Sequence, residues 1–465
     1  MADIKQLLIL ALLACVSVSA RAVTYHPSTP IHHLVVVMLQ DQSFDRYFGH
    51  YPTAENRPGE TAFHALAKTP TVDGFTSALL NHNPNLSNPY RMSPGEPTCD
   101  LGYGSIAQRR AYNDGKNNMF IWQENEGPNT INDDGCFPNS VMGYYDGNTV
   151  HALWEYAQHG AMADHFFASD YATSAGGLID LIAGTTLGVM PKRLPGVSYR
   201  DLLIDNDPPL YDDASHGRFR VHLMRKNMGD LLNQHHVRWG VFIGGFKPSG
   251  WDKAGRAMFH SRSMNQMGSL VKDYNPLNDP FQYFKSTANP HHLAPRSVAE
   301  VGRNGIANHQ YDLSWFWKVL RHHQLPAVSF VIPKAAQNGH VGNSSPLDEQ
   351  SFLVHLISSL RQSAQWPSTA VMLVWSNSNG WYDHVTPPAA PKMMTGTGYG
   401  PRLPFLVVST WAKQNYVDHQ MLDQSSVSRF IETNWKLGFL GEHTPDRYAH
   451  SLKAMFRFHS VNRVE

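Results

Sequence analysis

The stretch HLVVVMLQDQSFD, residues His33 to Asp45, decides the fold class. From His33 to Leu39 it is apolar without alternation and holds three consecutive valines. A strand with one wet face alternates apolar and polar residues. An uninterrupted run belongs instead to a strand covered on both faces, as in parallel sheets between layers of helices. The run stops abruptly at Gln40-Asp41-Gln42-Ser43-Phe44-Asp45. Ligands of open α/β sheets sit beyond the carboxyl ends of the strands, so the switch marks a candidate site as well as a strand end.

Four further runs have the same character: Val237–Ile243 (VRWGVFI), Ala327–Ile332 (AVSFVI), Ala370–Trp375 (AVMLVW) and Pro404–Ser409 (PFLVVS). Helical patterns lie between them, at Thr149–His159, Asp312–His322, Gln350–Gln362 and Ser425–Leu437. Strands separated by helices predict an α/β fold with a largely parallel sheet and helices on both faces. After AVMLVW comes a second polar cluster, Ser376-Asn377-Ser378-Asn379-Gly380-Trp381-Tyr382-Asp383-His384. Three segments rich in Pro, Gly, Asn and Ser, namely Thr53–Asn118, Gly245–His309 and Val385–Pro401, read as long ordered loops or lids over that edge. Trp251, Phe281, Tyr283 and Phe284 lie in the second of these, either lining a wall for an acyl chain or anchoring the loop to the core.

The 465 residues carry 38 Lys+Arg against 38 Asp+Glu, so no basic field is available for a phosphate backbone and nucleic acid is excluded as a bulk electrostatic partner. With 42% hydrophobic residues and no fixed-period repeat, disordered, fibrous and solenoid architectures are excluded too. The 26 histidines are the compositional outlier, and imidazole is a proton-transfer group near neutral pH and a common metal ligand. Lys5, the apolar run Leu7 to Val18 and the A-x-A site Ala20-Arg21-Ala22 read as a secretory signal peptide over 1–22, too short to span a membrane. Leu12-Leu13-Ala14-Cys15 also resembles a lipoprotein box. The remainder, 28–465, reads as a single domain without a transmembrane span, secreted or periplasmic. Loss of Cys15 with the leader leaves Cys99 and Cys136, a disulfide in an oxidising compartment or two buried thiols.

Thr173-Ser174-Ala175-Gly176-Gly177 precedes the apolar LIDLIAG, so Ser174 falls at a helix N-terminus with small neighbours and exposed amides. That position suits a nucleophile attacking a phosphate; it equally suits a plain helix cap. His291-His292, His340 and Asp383-His384 all lie in loop-like sequence, from which imidazoles can converge on phosphate oxygens, a leaving alkoxide or a metal. Each alone is equally at home on the surface or behind a site.

The strings IHHLVVVMLQDQSFDRYFGHYP, GYYDGNTVHALWEYAQHGAMADHFFASDYATSAGGLIDLIAGTT, NPHHL, NGHVGNSSPLDEQSFLV, WPSTAVMLVWSNSNGWYDHVTPP and GYGPRLPFLVVSTWAK together resemble, in order from His32 to Leu440, the bacterial phosphoesterase family of phosphatidylcholine-type phospholipases C and acid phosphatases. The resemblance implies an alkaline-phosphatase-like α/β core, a metal at the strand ends and a Ser or Thr nucleophile that becomes phosphorylated. It puts the nucleophile on Ser174, with Thr173 the next choice, and the phosphoryl-holding histidines on His291, His292 and His340. Asp383 and His384 match the family's Y-D-H, a substrate-binding position.

The resemblance also places metal ligands at Gln40, Asp41, Ser376 and Asn377, and here the chain departs from the family. Gln40-Asp41 stands where the family has Glu-Asn, and Ser376-Asn377 where it has paired acids. Asn379, Tyr103 and Asn118 replace further acids and a histidine. Three carboxylates among the four ligand positions become one, Asp41. A divalent ion (Zn or Ca) therefore loses most of the negative charge that holds it, with Asp45 or Asp383 the nearest substitutes in sequence. The expectation is a secreted phosphoesterase acting on a phospholipid or small phosphate ester, with peripheral membrane contact. A non-catalytic homologue that binds a phosphate ester or lipid head group is the alternative.

Overall fold

All five apolar runs become strands of one sheet. The computed structural model describes residues 27–96, 100–101, 104–125, 137–191, 206–217, 219–389 and 398–458. The leader, Cys99, Tyr103 and Cys136 lie outside the described residues. In chain order the sheet strands are β1 (His33–Leu39), β2 (Ala161–Ala163), β3 (Trp239–Ile243), β4 (Gln310–Asp312), β5 (Val328–Ile332), β6 (Thr369–Trp375), β7 (Phe405–Ser409) and β8 (Tyr416–Asp418). Across the sheet they run β4-β3-β5-β1-β6-β7-β2-β8. β1 pairs in parallel with β5 and β6, β3 in parallel with β4 and β5, and β2 in parallel with β8. Only β7 runs against its neighbours β6 and β2.

Both faces of β1 are dry, as its sequence demands. Leu34, Val36 and Met38 enter one hydrophobic cluster, and Val35, Val37 and Leu39 the other. Burying such a side chain stabilises the fold by roughly 1.5–3 kcal/mol. Because both faces are apolar, the alternation that normally fixes strand register is missing. Main-chain pairing continues past the strand end: Ser376 N–H donates to Leu39 O at 2.9 Å, and Gln40 N–H to Asn338 O at 2.9 Å.

Helices α1 (Phe44–Phe48), α2 (His151–Gln158), α5 (Leu313–Arg321) and α6 (Pro346–Arg361) cover one face. The other face is covered by α3 (Ser174–Ala183), α4 (Met228–Gln234) and α7 (Gln424–Trp435). The result is the expected three-layer α/β arrangement. α6 begins four residues before its apolar pattern because Ser345 and Asp348 form a capping box and Pro346 occupies the first helical position. The three-residue strands β2, β4 and β8 are too short to show a periodicity in sequence. In the segment expected as a second long loop, Phe281, Tyr283 and Phe284 are buried in the core and anchor it, whereas Trp251 is exposed. No helix among the described residues is long and apolar enough to cross a membrane.

Candidate active site

Three chain segments meet at the carboxyl ends of β1 and β6. Immediately after β1, Asp41 adopts a left-handed backbone, φ 64°, a conformation that short polar side chains tolerate better than most. Its carboxylate is fully buried. Ser174, the first residue of α3, donates its hydroxyl to Asp41 Oδ1 at 2.9 Å. On the other side His340 Nδ1 lies 3.4 Å from Asp41 Oδ2 and 2.7 Å from Val341 O. Serine, carboxylate and imidazole thus form a chain across the strand ends, with Asp41 in the middle. Thr173 Oγ1, by contrast, is buried without a hydrogen-bond partner.

Close backbone approach makes this contact possible. A Cβ on Gly177 would lie 1.9 Å from Ser376 O, so α3 can rest on the end of β6 only with glycine there. Gln424 Nε2 holds the same carbonyl at 2.8 Å. Gly339, at φ 88°, brings the His340 loop against Gln40: a Cβ there would lie 2.9 Å from Gln40 O, in a conformation that favours glycine. Behind it the buried carboxyl of Glu349 accepts a hydrogen bond from Tyr47 Oη at 2.7 Å, and burial pushes its pKa up to about 8.

Burial likewise raises the Asp41 pKa, partly opposed by His340. Burial would pull the His340 imidazole down, but the carboxylates of Asp41 and Asp100 outweigh it and hold it above its ordinary value. The two charges therefore sustain each other. Asp100 also accepts a hydrogen bond from Asn379 Nδ2 at 3.2 Å.

Asp383 and His384 belong to a second network. Arg402 is fully buried and donates from Nη2 to Asp45 Oδ1 and from Nε to Asp383 Oδ1, each at 2.9 Å, and from Nη1 to the carbonyls of Asp73 and Asp164. His384 Nδ1 lies 2.7 Å from Asp45 Oδ2 and Nε2 3.2 Å from Asp73 Oδ1. Burial opposes its charge, yet Asp45 lifts its pKa to about 9. Asp45, Asp383 and His384 come close enough together to suit a metal ion. The guanidinium of Arg402 already neutralises the two acids, and they are committed to it rather than to Asp41.

The residues at Gln40, Asp41, Ser376 and Asn377 do not fit a tightly held divalent ion. Gln40 is buried with both amide atoms unpartnered, so one neutral oxygen donor among them is free. Their charge is inadequate: one carboxylate faces the imidazole of His340, and Ser376 Oγ is given to Asn377 Oδ1 at 2.7 Å. Neutral oxygens replace only part of what carboxylates contribute to holding a divalent cation.

The paired histidines stand on another loop. His292 is buried, its Nε2 2.9 Å from Asp212 Oδ1 and its Nδ1 2.9 Å from Phe246 O. His291 is largely exposed and sits 3.0 Å from Asp213 Oδ2. The Asp212–Asp213 loop reaches α3 through Asn206, whose side chain lies 3.5 Å from Ala175 N. Sequence reasoning missed Arg402, Asp73, Asp100 and Glu349. Arg402 carried a signal, since it is a lone charge in the apolar string GPRLPFLVVS that leads into β7.

A sequence model of the Phosphoesterase family matches residues 31–438. Among curated proteins, the chain is similar to a phospholipase C A of Mycobacterium tuberculosis, 23% identical over 90% of this chain and 77% of that protein. It is also similar to a non-hemolytic phospholipase C of Pseudomonas aeruginosa, 31% identical over 23% of this chain and 20% of that protein. Among solved structures, a protein of the alkaline phosphatase superfamily from Vibrio parahaemolyticus aligns at a TM-score of 0.31 and 11% identity, covering 61% of this chain and 60% of that one.

Proposed function

The chain belongs to the phosphoesterase family, and from that membership we propose that it hydrolyses phosphate esters of the phospholipase C type with Ser174 as its nucleophile. The observation that carries the proposal is the 2.9 Å bond from Ser174 Oγ to the buried carboxylate of Asp41, at the first turn of α3. In the forward step Ser174 Oγ bonds to phosphorus as the bond to the leaving oxygen breaks. The serine proton passes to Asp41, and the departing alkoxide takes a proton from His340. Water then attacks the phosphorus of the phosphorylated Ser174 and gives its proton to the now neutral His340, Asp41 returns its proton to Ser174 Oγ as the Ser174 Oγ–P bond breaks, and the phosphorylated head group leaves. No step runs through a metal.

In this proposal the unpartnered side-chain amide of Gln40 supplies a neutral donor to the phosphoryl oxygens, aided by the positive end of α3. In this proposal His291, whose Nδ1 alone is engaged by Asp213, is the one of the pair that reaches the phosphoryl group, while His292, with both ring nitrogens taken by Phe246 O and Asp212, supports that loop from behind. Asp383 and His384 shape the substrate side from behind, through Asp45 and Arg402. Export by the 1–22 leader and a Cys99–Cys136 disulfide belong to the same proposal.

The substituted metal ligands favour one second reading, a homologue that binds a phosphate ester without cleaving it. Ser174→Ala separates the two. The proposal expects loss of all phosphodiester turnover with an unchanged melting temperature, and a phosphorylated Ser174 peptide from the parent protein after rapid acid quench. Turnover that survives the substitution would show that the nucleophile lies elsewhere. Absence of turnover in the parent protein, with retained binding of a phosphate ester, would favour the second reading.

A further inference from the structure

The polypeptide leaving β3 builds two small antiparallel hairpins, Gly250–Trp251 with Ala257–Met258 and Arg262–Met264 with Leu270–Lys272. It emerges at the carboxyl edge of the sheet, where Asp41 and Ser376 also stand. The second hairpin is tied beside the site: Asn265 Nδ2 donates to Asn343 O at 3.0 Å, and Gln266 N–H to Asp348 Oδ1 at 3.0 Å, just beyond His340.

Its two faces differ. Ser263 and Val271 are opposite each other and half-buried, and Ser263 Oγ accepts from Lys334 Nζ at 3.1 Å. The other face presents two cross-strand pairs, Arg262 with Lys272 and Met264 with Leu270, and all four side chains are exposed. Met264 is 64% and Leu270 55% accessible. Since Ser263, Asn265 and Gln266 anchor the hairpin, folding does not require apolar residues on the outward face. Like charges directly opposite in a hairpin are destabilising unless an anion lies against them. On the neighbouring hairpin Trp251 is 55% exposed and Lys253 is exposed as well. The acids of the region are used internally, Asp252 by Arg256 and Asp273 by Lys334.

We propose that the outward faces of these hairpins dock on an anionic phospholipid bilayer, with Met264, Leu270 and Trp251 entering the interface and Arg262, Lys272 and Lys253 meeting the head groups. Cations one strand step from apolar tips match a surface whose charge lies above a hydrocarbon interior. An indole at the rim suits the same boundary. The inference deepens the phosphoester reading by naming the phase from which substrate is taken, yet it stands on residues outside the Ser174 site.

The test uses full-length Ser174→Ala protein, so that lipid is not consumed, and flotation with phosphatidylcholine vesicles that contain or lack phosphatidylglycerol. Salt-sensitive binding to the anionic vesicles is expected. Arg262→Gln with Lys272→Gln should weaken it about 25-fold, from ~1 kcal/mol per basic residue at an anionic surface. Met264→Ser with Leu270→Ser should weaken the salt-resistant part. In the Ser174 background the same substitutions should leave turnover of a soluble chromogenic phosphodiester unchanged, which also reports that the variants fold. No binding to anionic vesicles, equal binding to pure phosphatidylcholine, or variants that bind like the parent would overturn the proposal, whatever the hydrolytic result. Binding without any turnover in the Ser174 protein would sink the hydrolase reading alone.

Discussion

Gly177→Ala sets two effects of opposite sign against each other. Gly177 lies inside α3, where alanine is intrinsically better than glycine by about 1 kcal/mol. On propensity alone the variant should be more stable. The added methyl, however, would sit 1.9 Å from Ser376 O and 2.6 Å from Ser376 C, both backbone atoms. Ordinary carbon–oxygen contact begins at about 3.3 Å, so helix and strand end must separate by more than ~1 Å. The strand cannot yield cheaply, because Ser376 N–H is bonded to Leu39 O and its carbonyl to Gln424 Nε2. The helix therefore retreats and carries Ser174 with it, stretching the 2.9 Å bond to Asp41 out of hydrogen-bonding range. Overpacking of this kind costs typically 1–3 kcal/mol, enough to cancel the propensity gain. Misplacement of a catalytic group by about 1 Å can cost on the order of 100-fold in rate. Thermal denaturation together with steady-state phosphodiester turnover measures both. The expected result is a small change in melting temperature with a drop in kcat of roughly 100-fold. A variant that melts higher and turns over normally would refute both the close approach and the role given to the Ser174–Asp41 bond.

Three other outcomes follow from the site. Ser376→Asp combined with Asn377→Asp returns two carboxylates to the strand end, and calorimetric titration should show calcium affinity rising at least about tenfold over a weak parent site; unchanged affinity would mean that charge was not the deficit. Arg402→Met removes the cation shared by Asp45 and Asp383 and should destabilise the fold by roughly 3–5 kcal/mol, seen in urea unfolding, because the buried Asp383 loses its ion-pair partner and Asp45 keeps only His384. His384, whose pKa is raised to about 9 in the folded chain, contributes stability that is complete below about pH 6.5 and is lost as pH rises through about 9. His384→Gln should flatten that alkaline fall in melting temperature, and an unaltered pH profile would show that the imidazolium does not hold the network.

How the chain divides between local and tertiary information is visible in particular residues. The run His33–Leu39 declared a doubly buried strand, and the structure returns the same seven residues as β1, because burial on two faces calls for an unbroken apolar string. The polar clusters after β1 and β6 were equally legible as strand ends, and the structure places both at the same edge of the sheet. Ser174 stood out by its small neighbours and helical position, and Asp41 by its place directly after the strand. What joined them was not legible: Ser174 and Asp41 are 133 positions apart in sequence, and their contact depends on a glycine three residues further into the helix meeting a strand end that itself comes much later. The fate of Asp45, Asp383 and His384 was equally hidden. As residue types they could ligate an ion, and only the arrival of Arg402 from the segment just before β7 turns them into a buried ion network. Periodicity is a local property set by which faces of an element are dry. Charge compensation in a low-dielectric interior depends on which distant groups share the space, so the sequence supplies the partners and tertiary packing chooses the pairs.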